Sequence, residues 1–96
     1  MEDNSLEIYK TLSASTCHVD QNDIAELEYN NASFTTYDGY YNTRLVIHES
    51  ILDDLSQINF SEGLRLLVLF AVSNGCAYLD LDSDGPVYNN FPTYDW

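Results

Sequence analysis

Residues 60–82 read FSEGLRLLVLFAVSNGCAYLDLD, and this stretch decides how the chain must fold. Between Leu64 and Val72 the only charged residue is Arg65; leucine, valine, phenylalanine and alanine fill every other position. An apolar run this dense, opened by Ser61-Glu62 and closed by Asn74-Gly75, predicts a buried helix with a glycine just past its end. From Cys76 the period changes. Ala77, Leu79 and Leu81 alternate with Tyr78, Asp80 and Asp82, the pattern of a half-buried strand. A helix apolar on nearly every side needs cover on several sides, so the rest of the chain is expected to wrap it.

Working outward, residues 5–16 (SLEIYKTLSAST) show a broken alternation in which Leu6, Ile8 and Leu12 share one parity, and a strand is expected there. Cys17-His18-Val19 reads as a turn, and Asp20 as the N-cap of a short helix. In that helix Ile24 and Leu27 turn inward, while Asp20, Asp23, Glu26 and Glu28 stay in solvent, where acids in a first turn suit the helix dipole. Residues 33–48 form the clearest hairpin, SFTTYDGYYNTRLVIH, with Asp38-Gly39 as a two-residue turn signal. That turn would set Thr36 opposite Tyr41 and Phe34 opposite Thr43. Leu45 and Ile47 would join these on the core face, leaving Tyr40, Asn42, Arg44, Val46 and His48 on the other. Ser50-Ile51-Leu52-Asp53 has the form of a capping box, and Ile51, Leu55 and Ile58 follow at helical spacing. The expected architecture is one α+β domain over residues 1–96: a mostly antiparallel four-stranded sheet with helices packed on one face, in the order β-α-β-β-α-α-β. The tail, GPVYNNFPTYDW, is too rich in Pro and Asn for a central strand; Val87, Tyr88, Phe91, Tyr94 and Trp96 should anchor it.

Charge is the strongest functional clue. Sixteen acidic residues oppose three basic ones, Lys10, Arg44 and Arg65, for a formal net charge of −13 in 96 residues. Self-repulsion of that size works against folding, so something should compensate for keeping it. Direct binding to nucleic acid or to an anionic membrane is excluded, because both need a basic footprint. A basic protein partner is the natural counterpart, with solubility as the plain alternative. The longest apolar run, residues 66–72, is far below the ~20 residues of a membrane helix. The acidic N-terminus has no signal-peptide core, so a cytoplasmic protein is expected, with Cys17 and Cys76 reduced and buried. Oligomeric state is left open between monomer and homodimer.

Candidate chemistry is sparse. Asp80-Leu-Asp82-Ser-Asp84-Gly85 matches the first half of an EF-hand loop, but Pro86 follows and Phe91 stands where a bidentate Glu is required. A strand entering an Asp-Gly turn explains the same letters. A phosphatase-like Asp-x-Asp fails because only twelve residues follow Asp84. Cys17, His18, His48 and Cys76 are zinc-ligand types without zinc-ligand spacing. Cys17 with His48 as base is no more than two common residue types. No enzyme, cofactor or metal is expected. That leaves two candidate surfaces. Acids gather in Asp20/Asp23/Glu26/Glu28, Glu49/Asp53/Asp54 and Asp80/Asp82/Asp84, and a rigid acidic array can imitate nucleic acid towards a basic groove. Tyr40, Tyr88, Tyr94 and Trp96 offer an aromatic contact surface instead.

Three stretches together carry a resemblance: Ser15-Thr16-Cys17-His18-Val19, the block LRLLVLFAVSNGCAYLDLDSDGP, and the closing Phe-Pro-Thr-Tyr-Asp-Trp. They resemble a family of small uncharacterised proteins carried on plasmids and phages. Its members show a Ser-Thr-x-His opening, an Asn-Gly-Cys helix end and a Leu-Pro-x-Tyr-Asp-Trp finish. The Tyr-rich hairpin and the Asn-rich tail are particular to this chain. The resemblance implies no activity that transfers by residue. It does imply a mobile-element setting, in which a small acidic protein would inhibit a host CRISPR or restriction complex in the host cytoplasm. The alternative is a small interaction module that binds a protein through its Tyr/Trp surface, with charge serving solubility.

Overall fold

A computed structural model describes residues 8–29, 36–39, 42–48 and 50–95. The elements are β1 (Thr11–Ser15), a 3₁₀ turn (Thr16–His18), α1 (Gln21–Tyr29), β2 (Thr36–Gly39), β3 (Asn42–Val46), α2 (Ile51–Ser56), α3 (Glu62–Ser73) and β4 (Tyr78–Asp82). The chain is a small α+β domain. Its sheet has the strand order β1-β4-β3-β2 and is mixed: β2 with β3 and β3 with β4 run antiparallel, whereas β1 lies parallel to β4. The expected, mostly antiparallel sheet is therefore met only in part. A parallel pair needs a long crossover, and here everything between β1 and β4 supplies it.

α3 forms where the apolar run predicted it. Ser61 caps it, its side chain accepting from the Leu64 N–H, and Gly75 follows its end with φ of 71°. The cover of α3 is partial, however. Leu64, Leu67, Val68 and Ala71, spaced at i, i+3, i+4 and i+7, are fully buried against Leu45, Leu79 and Leu81 of the sheet. Each buried leucine contributes roughly 1.5–3 kcal/mol. Leu69, Phe70 and Val72 are 49%, 51% and 37% exposed. The expected wrapping is incomplete: β4, α2 and the tail pack against α3, and among the described residues this outer side of the helix stays exposed.

β4 follows its alternation, with Leu79 and Leu81 buried and Tyr78, Asp80 and Asp82 half-buried on the opposite face. β1 is shorter than the expected strand over residues 5–16. It pairs residue for residue with the five of β4, Thr11 with Tyr78 to Ser15 with Asp82, and ends where β4 ends. Ile8 is 86% exposed, and Leu6 lies outside the described residues.

The hairpin register also differs. Thr36 pairs with Leu45, Asp38 with Thr43 and Gly39 with Asn42, so Asp38-Gly39 belong to the ladder and not to a turn. Phe34, Tyr40 and Tyr41 lie outside the described residues. Thr43 and Leu45 are buried as expected, since a shift by an even number of residues preserves the face each side chain takes. At α2, Ser50 occupies the N-cap position without a side-chain capping bond; its hydroxyl lies 3.2 Å from His48 Nδ1 instead. Ile51 and Leu55 are buried, and Ile58 packs against the core from the turn beyond. Among the described residues no helix is long and apolar enough to cross a membrane.

Candidate functional site

The three cations are all engaged within the chain. Arg44 clasps Asp80 through two bonds, Nε to Oδ1 at 2.6 Å and an η nitrogen to Oδ2 at 2.9 Å, and its guanidinium lies 4.5 Å from the centre of the Tyr78 ring. Arg65 donates to the backbone carbonyls of Ile58 and Phe60, closing the turn that leads into α3. Lys10 donates to the Asn74 carbonyl at the C-terminus of the same helix, where a cation suits the dipole.

The acidic candidates divide. Asp23 was expected in solvent, yet it is 2% exposed. Its carboxylate accepts from the Ser61 N–H, the Ser61 hydroxyl and the Asp20 N–H, tying α1 to the start of α3. Three donors satisfy a buried carboxylate, and this makes Asp23 a structural residue. Asp20 is half-buried and accepts from the Asn22 N–H. Asp80 is held by Arg44 as described. Asp82 accepts from the Asp84 N–H, and the Gly85 N–H donates to the Asp82 carbonyl, so LDLDSDG is a strand entering an Asp-Gly turn. Asp54 Oδ2 lies 3.6 Å from His48 Nε2. Glu26, Asp53 and Asp84 are exposed, as are Glu62 and Asp95. Glu49 and the Glu28 side chain lie outside the described residues.

Among the described residues, these acids are divided between two faces of the sheet. Asp80 and Asp82 stand on the open face of the sheet, whereas α1 and α2, which carry Glu26 and Asp53, belong to the layer whose residues Leu27, Ile51 and Leu55 enter the core from the other face.

The tail forms a second centre, organised by a residue that the sequence offered as part of a turn and as a zinc-ligand type without the spacing. His18 is fully buried. Its Nδ1 lies 2.8 Å from the Pro92 carbonyl, and its Nε2 accepts from the Tyr88 N–H at 2.8 Å. Its ring stacks on Tyr88 and meets the Phe91 ring edge-on. Tyr88 donates its hydroxyl to the Ser13 carbonyl, and the Ser15 N–H donates to the Pro86 carbonyl, so the tail covers the outer edge of β1. The Tyr94 N–H donates to the Cys17 carbonyl, and its hydroxyl accepts from the Gly63 N–H in the first turn of α3. Tyr88 and Tyr94 are thus half-buried and bonded internally. Tyr40 and Trp96 lie outside the described residues.

Among the described residues, Tyr9 is 55% exposed, and an apolar patch faces outward on α3. Leu69, Phe70 and Val72 lie on its uncovered side, and Phe70 meets the Phe91 ring edge-on at 5.9 Å. The sequence reading expected this side of the helix to be covered, so the patch was not anticipated. Cys17 and Cys76 carry free thiols. Among the described residues no group of three or more His, Cys, Asp or Glu side chains is placed to hold a metal ion. No curated protein and no solved structure matches the chain. One family does, over residues 11–96, which takes in β1, the His18 centre, α3 and the closing tail. By that match the chain belongs to a family of unknown function (DUF5983), represented here by the family's C-terminal domain.

Proposed function

We propose that this domain is a non-enzymatic binding protein whose partner is a protein with a basic surface. The observation that carries the reading is the fate of the cations: three basic residues stand against sixteen acids, and each of the three is bonded within the chain. The surface offered to a partner is therefore anionic, which steers basic partners towards it and repels nucleic acid and anionic membranes.

Within that class, the notion of an inhibitor that fills the nucleic-acid groove of a host CRISPR or restriction complex is the second reading. Its support is the exposed Glu26, Asp53 and Glu62, each on a helix that holds it in place. The division of acids between the two faces of the sheet favours an ordinary protein interface over imitation of a duplex, which carries a charge every ~1.7 Å.

A pull-down from host lysate at low salt, eluted with a salt gradient, tests the proposal. A basic partner released at moderate salt is the expected result, and competition by DNA or RNA would select the groove-filling reading. Reversing Asp53 and Asp54 to Lys should weaken capture without unfolding the domain. Capture confined to acidic partners, or none in any lysate, would overturn the proposal.

A further inference from the structure

We infer that the uncovered side of α3, carrying Leu66, Leu69, Phe70 and Val72 and extended by Phe91, is the docking centre for a protein segment that is apolar at its middle and basic at its rim. The inference rests on the reading of a basic partner given above. Leu69, Phe70 and Val72 are the exposed large apolar residues of α3, and the ring contact between Phe70 and Phe91 joins the helix to the anchored tail. The patch is held rigidly. α3 is pinned by Leu64, Leu67, Val68 and Ala71 below, and Phe91 by the His18 ring behind it. A preorganised apolar surface loses little entropy on binding, and aromatic anchors at its centre dominate the energy of an interface.

Charge selects the occupant. A second copy of this chain would double a net charge of −13 across the interface, with the three cations already engaged. An anionic lipid surface meets the same repulsion. A helix or strand with an apolar stripe flanked by Lys or Arg meets none, and its rim finds Glu62 one turn before Leu66 on the same helix.

The test uses the full chain and two synthetic peptides of equal positive charge: an amphipathic Leu/Lys helix and a Ser/Lys control. Fluorescence anisotropy at about 0.15 M ionic strength, where long-range charge is partly screened, reads affinity. The Leu/Lys peptide should bind at least about tenfold more tightly, and replacing both Leu69 and Phe70 with Ser should remove that difference. Amide shifts of the unaltered protein should change most along the outer side of α3 and at Phe91. Equal affinity for the two peptides, or shifts centred on the open face of the sheet, would overturn the docking site while leaving a basic partner in place. Failure of both peptides to bind would overturn the basic-partner reading itself. A dimer of the unaltered chain that Leu69→Ser dissociates would show that a second copy is the occupant, which also refutes the inference.

Discussion

Replacing Gly63 with Ala sets two physical effects against each other, and the structure decides the sign. Helix propensity alone favours Ala over Gly by about 1 kcal/mol, an upper limit at the second residue of α3, where the helix has barely begun. Against this, a Cβ on Gly63 would overlap the backbone carbonyl of His18 and come within 3.0 Å of Cε2 of Tyr94. The His18 carbonyl has little room to retreat. It is flanked by buried Val19, and the His18 ring is bonded to the tail through both nitrogens. Overpacking of this kind costs about 1–3 kcal/mol. Separating α3 from the tail also strains the bond from the Gly63 N–H to the Tyr94 hydroxyl, with a net value of about 1 kcal/mol. The balance is a loss of about 1–4 kcal/mol, which in a domain of this size lowers Tm by at least about 4–8 °C. Urea and thermal unfolding followed by circular dichroism measure it. A variant as stable as the parent would refute the packing argument, because it would show that the His18 carbonyl does not confine this position. Gly75→Ala is the control. No atom lies within 4 Å of its added Cβ, so only the positive φ of 71° opposes the change, at about 1 kcal/mol.

Three further outcomes follow from the same contacts. His18→Ala removes a fully buried ring and both of its tail bonds, so stability should fall by about 3–4 kcal/mol and limited proteolysis should cleave within residues 85–95; an unchanged cleavage pattern would mean that the tail is held by other contacts. Asp23→Ala leaves the Ser61 N–H and hydroxyl without their acceptor and should cost about 2–3 kcal/mol in urea unfolding, whereas Asp23→Asn, which keeps one acceptor oxygen, should cost less; equal losses would argue against the bonding scheme. The Arg44–Asp80 pair, with side chains 38% and 30% exposed, should show a coupling of no more than about 1 kcal/mol in a double-mutant cycle, and a larger value would mean that the open face of the sheet is less solvated than its exposure indicates.

Much of the architecture was legible in the letters, and the order of elements was read directly from them. α3 declared itself by residue type, by its capping Ser61 and by the Asn74-Gly75 exit, and β4 by strict alternation. These are local signals, set by backbone sterics and by the periods of helix and strand. The inward positions of Leu45, Leu79 and Leu81 were legible for the same reason. Where two arrangements preserve the same period, the letters are silent. Thr36 could pair with Tyr41 or, four residues further along, with Leu45 without moving Thr43 or Leu45 to the other face, and the ladder takes the second register.

The candidate site was legible only as composition. Residue types alone set a net charge of −13, a helix apolar on nearly every side, and an aromatic tail. Which acids meet solvent and which are bonded inside depends on the folded arrangement. Asp23 and Glu26 are both acids of α1, three residues apart and both expected in solvent, yet one is buried beneath Ser61 and the other is exposed. The tertiary structure likewise turned His18 from a turn residue into the anchor of the tail, through partners some 70 positions away in the chain. The physical reason is common to both. Burial and hydrogen bonding are set by contacts distant in sequence, whereas helix and strand are set by neighbours.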